Sequence, residues 1–161
     1  MRHWTRLKDW LPAIVWAGVI SGLSTDTFSG SHTSILIVPF LHWLLPHANE
    51  DTIELLHGFV RKLAHFTEYF ILSVFLIRGL RGKNRGWNLR LAIWAVVIAA
   101  VYSSFDEFHQ LFVPSRHASP WDALLDTTGA TAAQILLWLW RWPRPRLTVR
   151  GDKENAVSNP D

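Results

Sequence analysis

The chain has 161 residues, of which 49% are hydrophobic and 18% are charged, and its mean hydropathy is +0.11. This length suits one domain, and the composition excludes a disordered protein. The absence of cysteine excludes disulfides, thiol nucleophiles and cysteine-based metal sites. A pI of about 9.7 would suggest nucleic acid as the partner of a soluble protein. Here the basic residues flank apolar segments, so we expect no nucleic-acid partner.

Four apolar stretches between charged boundaries predict an all-α integral membrane protein with a bundle of four transmembrane helices. In chain order they cover Trp10 to Leu23, Phe66 to Leu80, Leu91 to Phe105 and Trp121 to Trp142. Only the last reaches the roughly 20 residues that a helix needs to cross about 30 Å of hydrocarbon. The first follows the basic start MRHWTRLKD, as in a signal peptide, but SGLSTDTFSG has no A-x-A site, so we expect an uncleaved span.

A fifth apolar piece, Ile35 to Leu45, is too short to cross a bilayer. Its second half lies between Pro39 and Pro46. We therefore expect a short re-entrant or interfacial segment that follows the first span and packs beside the bundle.

The basic residues indicate the orientation of the chain. Three precede the first span, five join the second and third spans, and five follow the fourth. The positive-inside rule then predicts that both termini and the middle loop are cytoplasmic. The remaining three, Arg61, Lys62 and Arg116, lie on the other side. Residues 143–161 form a polar cytoplasmic tail that we expect to be disordered.

The motif RKLAHFTEYF brings charge into the second span, because about 20 residues counted outward from the cytoplasmic Arg78 reach Gly58. Counting the same number of residues outward from Arg90 and from Arg141 places polar residues of the third and fourth spans at a similar depth in the membrane. The polar residues at this level are Arg61, His65, Glu68, Tyr69, Asp106, Glu107, Gln110, Asp122 and Asp126. Ionisable groups there cost roughly 2.5 to 3.5 kcal/mol each on insertion scales, so we expect them to face inward and pair with one another.

Several chemistries are open to these residues. His65 with Glu68 could form a general acid/base pair or a structural hydrogen bond between helices. The carboxylates of Asp106, Glu107, Asp122 and Asp126 could hold a divalent cation, although Arg61 and Arg116 can neutralise the same groups. No other cofactor is expected. Ser119 has no evident base beside it in the sequence, which argues against a serine nucleophile.

Two motifs, RKLAHFTEY and DEFHQLFVPSRHASPWDALLDTTG, resemble the VanZ-like family of bacterial membrane proteins, named for a member associated with low-level teicoplanin resistance. The family pattern R-K-x-x-H-x-x-E-Y and D-E-x-x-Q-x-F-x-P-x-R-x-G-S-x-x-D is matched at Arg61, Lys62, His65, Glu68, Tyr69, Asp106, Glu107, Gln110, Phe112, Pro114, Arg116, Ser119 and Asp122. Ala118 stands where Gly is usual, and Asp126 where Asn is common. The resemblance implies a VanZ-like transmembrane domain over 1–142 in a multi-pass protein of the bacterial plasma membrane, and no settled reaction.

Three classes of function remain open. In the first, which the resemblance favours, an outer-leaflet pocket binds an anionic lipid, a lipid-linked wall precursor or a glycopeptide and contributes to glycopeptide resistance. Its ligand-binding candidates are Arg61, Lys62, His65, Glu68, Tyr69, Asp106, Glu107, Gln110, Arg116, Ser119, Asp122 and Asp126. The second is a membrane-embedded hydrolase or transferase, with catalytic candidates His65, Glu68, Asp106 and Glu107. The third is a structural or small transport protein.

We predict that Arg116 acts through the planar shape of its guanidinium group and not through its charge alone. A planar guanidinium can bridge two carboxylates or hold a phosphate bidentately, which an ammonium cannot do in the same way. We therefore expect Arg116→Lys to leave insertion intact and to lose most function.

Overall fold

The structure, a computed structural model, describes residues 2–25, 30–82, 87–112 and 119–141. These residues form five α-helices and no strands. The helices are α1 (Arg2–Leu23), α2 (Gly30–Leu44), α3 (Glu50–Arg81), α4 (Leu89–Gln110) and α5 (Pro120–Arg141). The prediction of an all-α chain is confirmed for this part of the molecule. The tail over 143–161 lies outside it.

The ends of α3 and α4 follow from their capping residues. Asn49 precedes α3, and its side chain accepts a hydrogen bond of 3.0 Å from the Thr52 N–H. Asn88 precedes α4 in the same way and accepts from the Leu91 N–H at 3.3 Å. Gly82 ends α3 with a φ of 55°, in the region that glycine adopts without steric cost.

Helix α3 is the centre of the fold, since it contacts each of the other four helices, and α5 packs against α4 as well. Its 32 residues make it about 48 Å long at 1.5 Å per residue. The approach of α5 is close enough to require glycine. A Cβ added at Gly129 would lie 2.3 Å from the Phe66 carbonyl oxygen of α3. The two backbones are therefore nearly in contact.

Helix α4 buries small and polar side chains and exposes apolar ones. Its buried face carries Ala92, Ala95, Ala99, Ser103, Asp106, Glu107 and Gln110. On the opposite side Ile93, Val101 and Phe105 are 54%, 50% and 68% exposed. A surface helix of a water-soluble protein shows the reverse distribution.

Two helices in the described part of the chain, α3 and α4, are long and apolar enough to cross a membrane. This is a test of length and composition, which the core helix of a soluble protein also passes. Helices α1 and α5 have 22 residues each but are not among those two. The four-span bundle therefore stays a prediction. Helix α2, with 15 residues, is the short apolar helix expected after the first span.

Candidate functional site

A cavity of about 190 Å³, here called the polar cavity, lies between α1, α2, α3 and α4. The polar side chains that line it are Ser24, Thr33, Arg61, His65, Glu68 and Asp106. Its other walls are apolar and include Ile20, Leu23, Ile37 and Val60. Four of the predicted site residues thus share one enclosed space.

The sequence places three of these residues on one face of α3. Arg61, His65 and Glu68 follow one another at i, i+4 and i+7, so they lie one above the other along the helix. Asp106 reaches the same space from α4. The spacing therefore accounts for the α3 side of the polar cavity, and helix packing supplies the rest.

Asp106 is held by neutral donors. It is only 8% exposed. Its Oδ2 accepts hydrogen bonds from Ser24 Oγ at 2.9 Å and from Gln110 Nε2 at 3.0 Å. Gln110 also donates to Ser24 Oγ at 2.9 Å, which closes a triangle of three side chains. Among the residues that the structure describes, Asp106 has no ion-pair partner.

Asp126 lies behind His65, away from solvent. It is 0% exposed, and its Oδ2 accepts a hydrogen bond of 2.7 Å from Ser103 Oγ. Its Oδ1 is 3.7 Å from His65 Nδ1. Tyr69, also fully buried, lies against this group, with Ser103 and both aspartates near its hydroxyl. His65 therefore connects the polar cavity to a second buried carboxylate.

Arg61 lines the polar cavity without an ion-pair partner in the described ranges 7–25, 33–82, 87–112 and 119–140. The prediction was that the buried charges pair with one another, and His65 with Asp126 at 3.7 Å is one such contact. Asp106, by contrast, is satisfied by hydroxyl and amide groups, and a hydroxyl satisfies one oxygen of Asp126. Arg61 is left facing the space between the helices.

Glu107 and Ser119 form a hydrogen bond with each other and do not line the polar cavity. Glu107 is 7% exposed, and its Oε2 accepts the Ser119 N–H at 2.9 Å. The Ser119 hydroxyl accepts the Trp121 N–H at 3.3 Å, next to the start of α5. This is the position of a helix-capping residue. Ser119 thus has a structural role at the entry to α5.

Two further predicted site residues are described and do not line the polar cavity. Lys62 is exposed, although it is the neighbour of Arg61. Asp122 is half-buried near the start of α5. Arg116 lies outside the described residues, so its role stays a prediction.

No group of three His, Asp or Glu side chains within the described part of the chain is placed to hold a metal ion. A divalent cation therefore stays a prediction without support from geometry. Ser103 donates to Asp126 and not to His65, so it is not placed as a serine nucleophile with His65 as its base.

A larger groove of about 570 Å³ runs between α4 and α5. It is mostly apolar, with Trp87, Ile93, Val97, Ile135 and Trp138 among its walls, and none of the predicted site residues lines it. The polar cavity is the better candidate site because it combines a cation, a histidine and carboxylates in one space.

The sequence analysis missed Ser24, Thr33 and Ser103. Ser103 could have been found, because it lies three residues before Asp106 and seven before Gln110, on the same face of α4. Nothing in the sequence connects Ser24 with Asp106, since 82 positions separate them. Only the packing of α1 against α4 brings them together.

The comparison with protein-family models agrees with the motifs. The VanZ/LLP1 model matches residues 10–141, which include every described residue that lines the polar cavity. No curated protein and no solved structure matches the chain. Because the match covers most of the 161 residues, the chain belongs to the VanZ/LLP1 family.

Proposed function

We propose that the chain is a multi-pass integral membrane protein of the bacterial plasma membrane, with α1, α3, α4 and α5 as its spans and both termini in the cytoplasm. The support is the distribution of side chains on α4, where Asp106 and Gln110 are buried while Phe105 and Phe108 are exposed. Lipid tails solvate such apolar surfaces, and polar groups then turn inward. The distribution of basic residues supports the orientation.

Cysteine labelling tests this topology, because the natural chain has no cysteine. Asp51→Cys lies at the exposed start of α3, and Lys83→Cys follows its end. In intact cells a membrane-impermeant thiol reagent is expected to label the first and not the second. The opposite result would reverse the orientation, and labelling of both would show that α3 does not span the membrane.

Within this topology, the polar cavity binds the phosphate-bearing headgroup of an anionic lipid or a lipid-linked wall precursor. The observation that carries this proposal is Arg61, a cation at a cavity with no ion-pair partner among the described residues. A guanidinium binds phosphate oxygens through two parallel hydrogen bonds, which are stronger than neutral ones. A bound phosphate would neutralise a charge that is otherwise costly at this depth.

The size of the polar cavity favours a headgroup over a whole glycopeptide. Its volume of about 190 Å³ is below the roughly 300 to 1,000 Å³ of sites for drug-sized ligands. A contribution to teicoplanin-type resistance would then follow from binding the wall precursor that glycopeptides recognise. Binding of the glycopeptide itself is the alternative, and it would need contacts outside the polar cavity.

Neighbouring cations on α3 provide a matched test of headgroup binding. Arg61 lines the polar cavity, whereas Lys62 is exposed. Charge-assisted hydrogen bonds contribute about 1.5–3 kcal/mol, so Arg61→Gln is expected to weaken lipid binding by roughly 10- to 100-fold. Lys62→Gln should stay within about twofold of the natural protein. Mass spectrometry of lipids retained by the purified variants measures both, and equal retention would contradict the proposal.

A membrane-embedded hydrolase or transferase is the second candidate, because His65 lines the polar cavity with Asp126 at 3.7 Å behind it. A carboxylate behind a histidine is a recurring arrangement for orienting a general base. His65→Gln separates the candidates. Under the binding proposal the variant keeps the function of the natural protein, whereas under the enzymatic one it still binds the lipid but loses a conversion that the natural protein carries out.

A further inference from the structure

We infer that the ligand of the polar cavity is zwitterionic, with a primary ammonium group close to its phosphate, as in an ethanolamine phosphodiester. This inference rests on the phosphate binding by Arg61 proposed above, and it replaces the anionic headgroup of that proposal with a zwitterionic one. It comes from the carboxylates, which a purely anionic ligand would leave unexplained.

The polar cavity contains charges of both signs. Arg61 contributes a cation from α3, and Asp106 contributes a carboxylate from α4. Neither forms an ion pair with a described residue, so the two groups face one space without contacting each other. Glu68 adds a second carboxylate. A ligand that contacts both groups neutralises both charges only if it carries an anion and a cation.

A purely anionic headgroup fits this arrangement poorly. It would neutralise Arg61 but bring its own negative charge close to Asp106, where apolar walls such as Ile20 and Val60 lower the local dielectric constant. Repulsion between like charges is large in such surroundings. An ammonium group on the same headgroup converts this repulsion into attraction.

The hydrogen bonds of Asp106 leave one of its oxygens for the ligand. Ser24 and Gln110 both donate to Oδ2, at 2.9 Å and 3.0 Å. The other oxygen, Oδ1, accepts no hydrogen bond from any residue that the structure describes. A carboxylate has acceptor capacity on both oxygens, and a primary ammonium has three N–H donors. Asp106 is thus held in place through Oδ2, and the acceptor capacity of Oδ1 is the part of the carboxylate that we assign to the ammonium.

This geometry predicts selectivity among headgroups that share a phosphodiester. Ethanolamine offers N–H donors and a positive charge, whereas choline has the charge without any N–H. Glycerol has hydroxyl donors without the charge, and N-acetylated ethanolamine has an amide N–H without the charge. Only the ethanolamine headgroup satisfies both Arg61 and Asp106.

The test is a headgroup series on the purified natural protein in detergent, measured by native mass spectrometry. The four phospholipids carry identical acyl chains and ethanolamine, N-acetylethanolamine, choline or glycerol headgroups, and a polyprenyl diphosphate forms a fifth arm. We expect the ethanolamine lipid to bind about tenfold tighter than any other, as one charge-assisted contact predicts. Because the ligand and not the protein is varied, misfolding cannot produce this pattern.

Other outcomes distinguish this inference from the proposal on which it rests. Equal binding of all the phosphate lipids, lost in Arg61→Gln, would overturn the zwitterion and keep the headgroup site. Tightest binding of the polyprenyl diphosphate would also overturn it, in favour of a wall-precursor carrier. Absence of binding by any of the five would overturn both.

Two substitutions locate the selectivity on the protein. Asp106→Asn is expected to reduce the preference for the ethanolamine lipid over the glycerol lipid from about tenfold to within about twofold. Asp122→Asn is the matched control, because Asp122 is half-buried and does not line the polar cavity. An unchanged preference in folded Asp106→Asn would overturn the assignment of the ammonium to this carboxylate.

Discussion

The two halves of α4 bury different chemistry on the same face. The first half buries Ala92, Ala95 and Ala99, and the second buries Ser103, Asp106 and Gln110. Steps of three or four residues keep all six on one side of the helix. The alanines pack into the apolar core beside residues such as Leu76, whereas the polar residues form hydrogen bonds around the polar cavity. One helix face thus packs against the apolar core at one end and carries a hydrogen-bonded polar group at the other.

The two halves of α4 differ in the residue types that they turn towards the inside of the bundle. If lipid surrounds it, apolar surface gains little from burial, and helices associate through close contact and internal hydrogen bonds. Small residues mark the first half and polar residues the second, while large apolar residues mark the outside. Close packing therefore stabilises the first half, and internal hydrogen bonds stabilise the second. Substitutions can test these two contributions separately.

The largest effect is expected at Gly129, where α5 touches α3. A Cβ there would lie 2.3 Å from the Phe66 carbonyl oxygen, and a backbone atom cannot move aside as a side chain can. Gly129→Ala should cost about 1–3 kcal/mol of stability. At about 2–4 °C per kcal/mol, that lowers the melting temperature by several degrees. Thermal unfolding in detergent measures the change.

Gly58→Ala is the control for helix propensity. Gly58 lies on α3, and no atom lies within 4 Å of its added Cβ. Alanine there should be neutral or stabilise the helix by up to about 1 kcal/mol. If both alanines have the same effect, the contact between α3 and α5 is looser than the structure indicates.

The packed contact of α3 with α5 and the polar cavity should respond differently to the loss of one serine hydroxyl. Ser73 of α3, in the packed contact, donates to the Ala130 carbonyl at 2.9 Å and accepts from Gln134 at 2.8 Å. Ser73→Ala is expected to cost about 1–3 kcal/mol, because it leaves buried polar groups unsatisfied. Ser24→Ala should cost less, since water in the polar cavity can replace the hydroxyl, but it should weaken ethanolamine-lipid binding severalfold.

Melting temperatures and lipid retention of the two serine variants are measured side by side. Ser104→Ala serves as the control, because that exposed hydroxyl only bonds to the carbonyl of Ala100, one turn earlier. A larger loss of stability in Ser24→Ala than in Ser73→Ala would contradict the distinction between the packed contact of α3 with α5 and the polar cavity.

The sequence predicted the helices and one side of the site. Helical spacing placed Arg61, His65 and Glu68 together, and the apolar pattern predicted a short segment after the first span, which the structure shows as the helix α2. The charged groups were expected to pair with one another, and Asp126 does lie 3.7 Å from His65. The serine and glutamine partners of Asp106 and the Ser103 partner of Asp126 were not predicted. Arg116 lies outside the described residues, so its pairing stays a prediction.

These partners could not be predicted because a serine in a sequence does not indicate how deeply it will be buried or which group it will bond to. A hydroxyl can bond within its own helix, as Thr67 does to the Leu63 carbonyl, or across helices, as Ser103 does. The choice depends on helix packing, which in this chain depends on contacts as local as that of Gly129 with Phe66. Pairing across 82 positions between Ser24 and Asp106 therefore required the fold.

The smallest effect is expected for Asp126→Asn, which asks whether charge or hydrogen bonding holds the polar half together. The asparagine oxygen can still accept the Ser103 hydroxyl, now 2.7 Å from Oδ2, while its amide replaces the carboxylate oxygen near His65. We expect the stability to change by less than about 1 kcal/mol, the size of one neutral hydrogen bond. Asp126→Ala should cost about 1–3 kcal/mol, because it leaves the Ser103 hydroxyl buried without its acceptor. The melting temperatures of Asp126→Asn and Asp126→Ala show whether charge or hydrogen bonding at this position stabilises the polar half. If asparagine proves as damaging as alanine, the negative charge beside His65 is what this half of the bundle requires, and hydrogen bonding alone does not stabilise it.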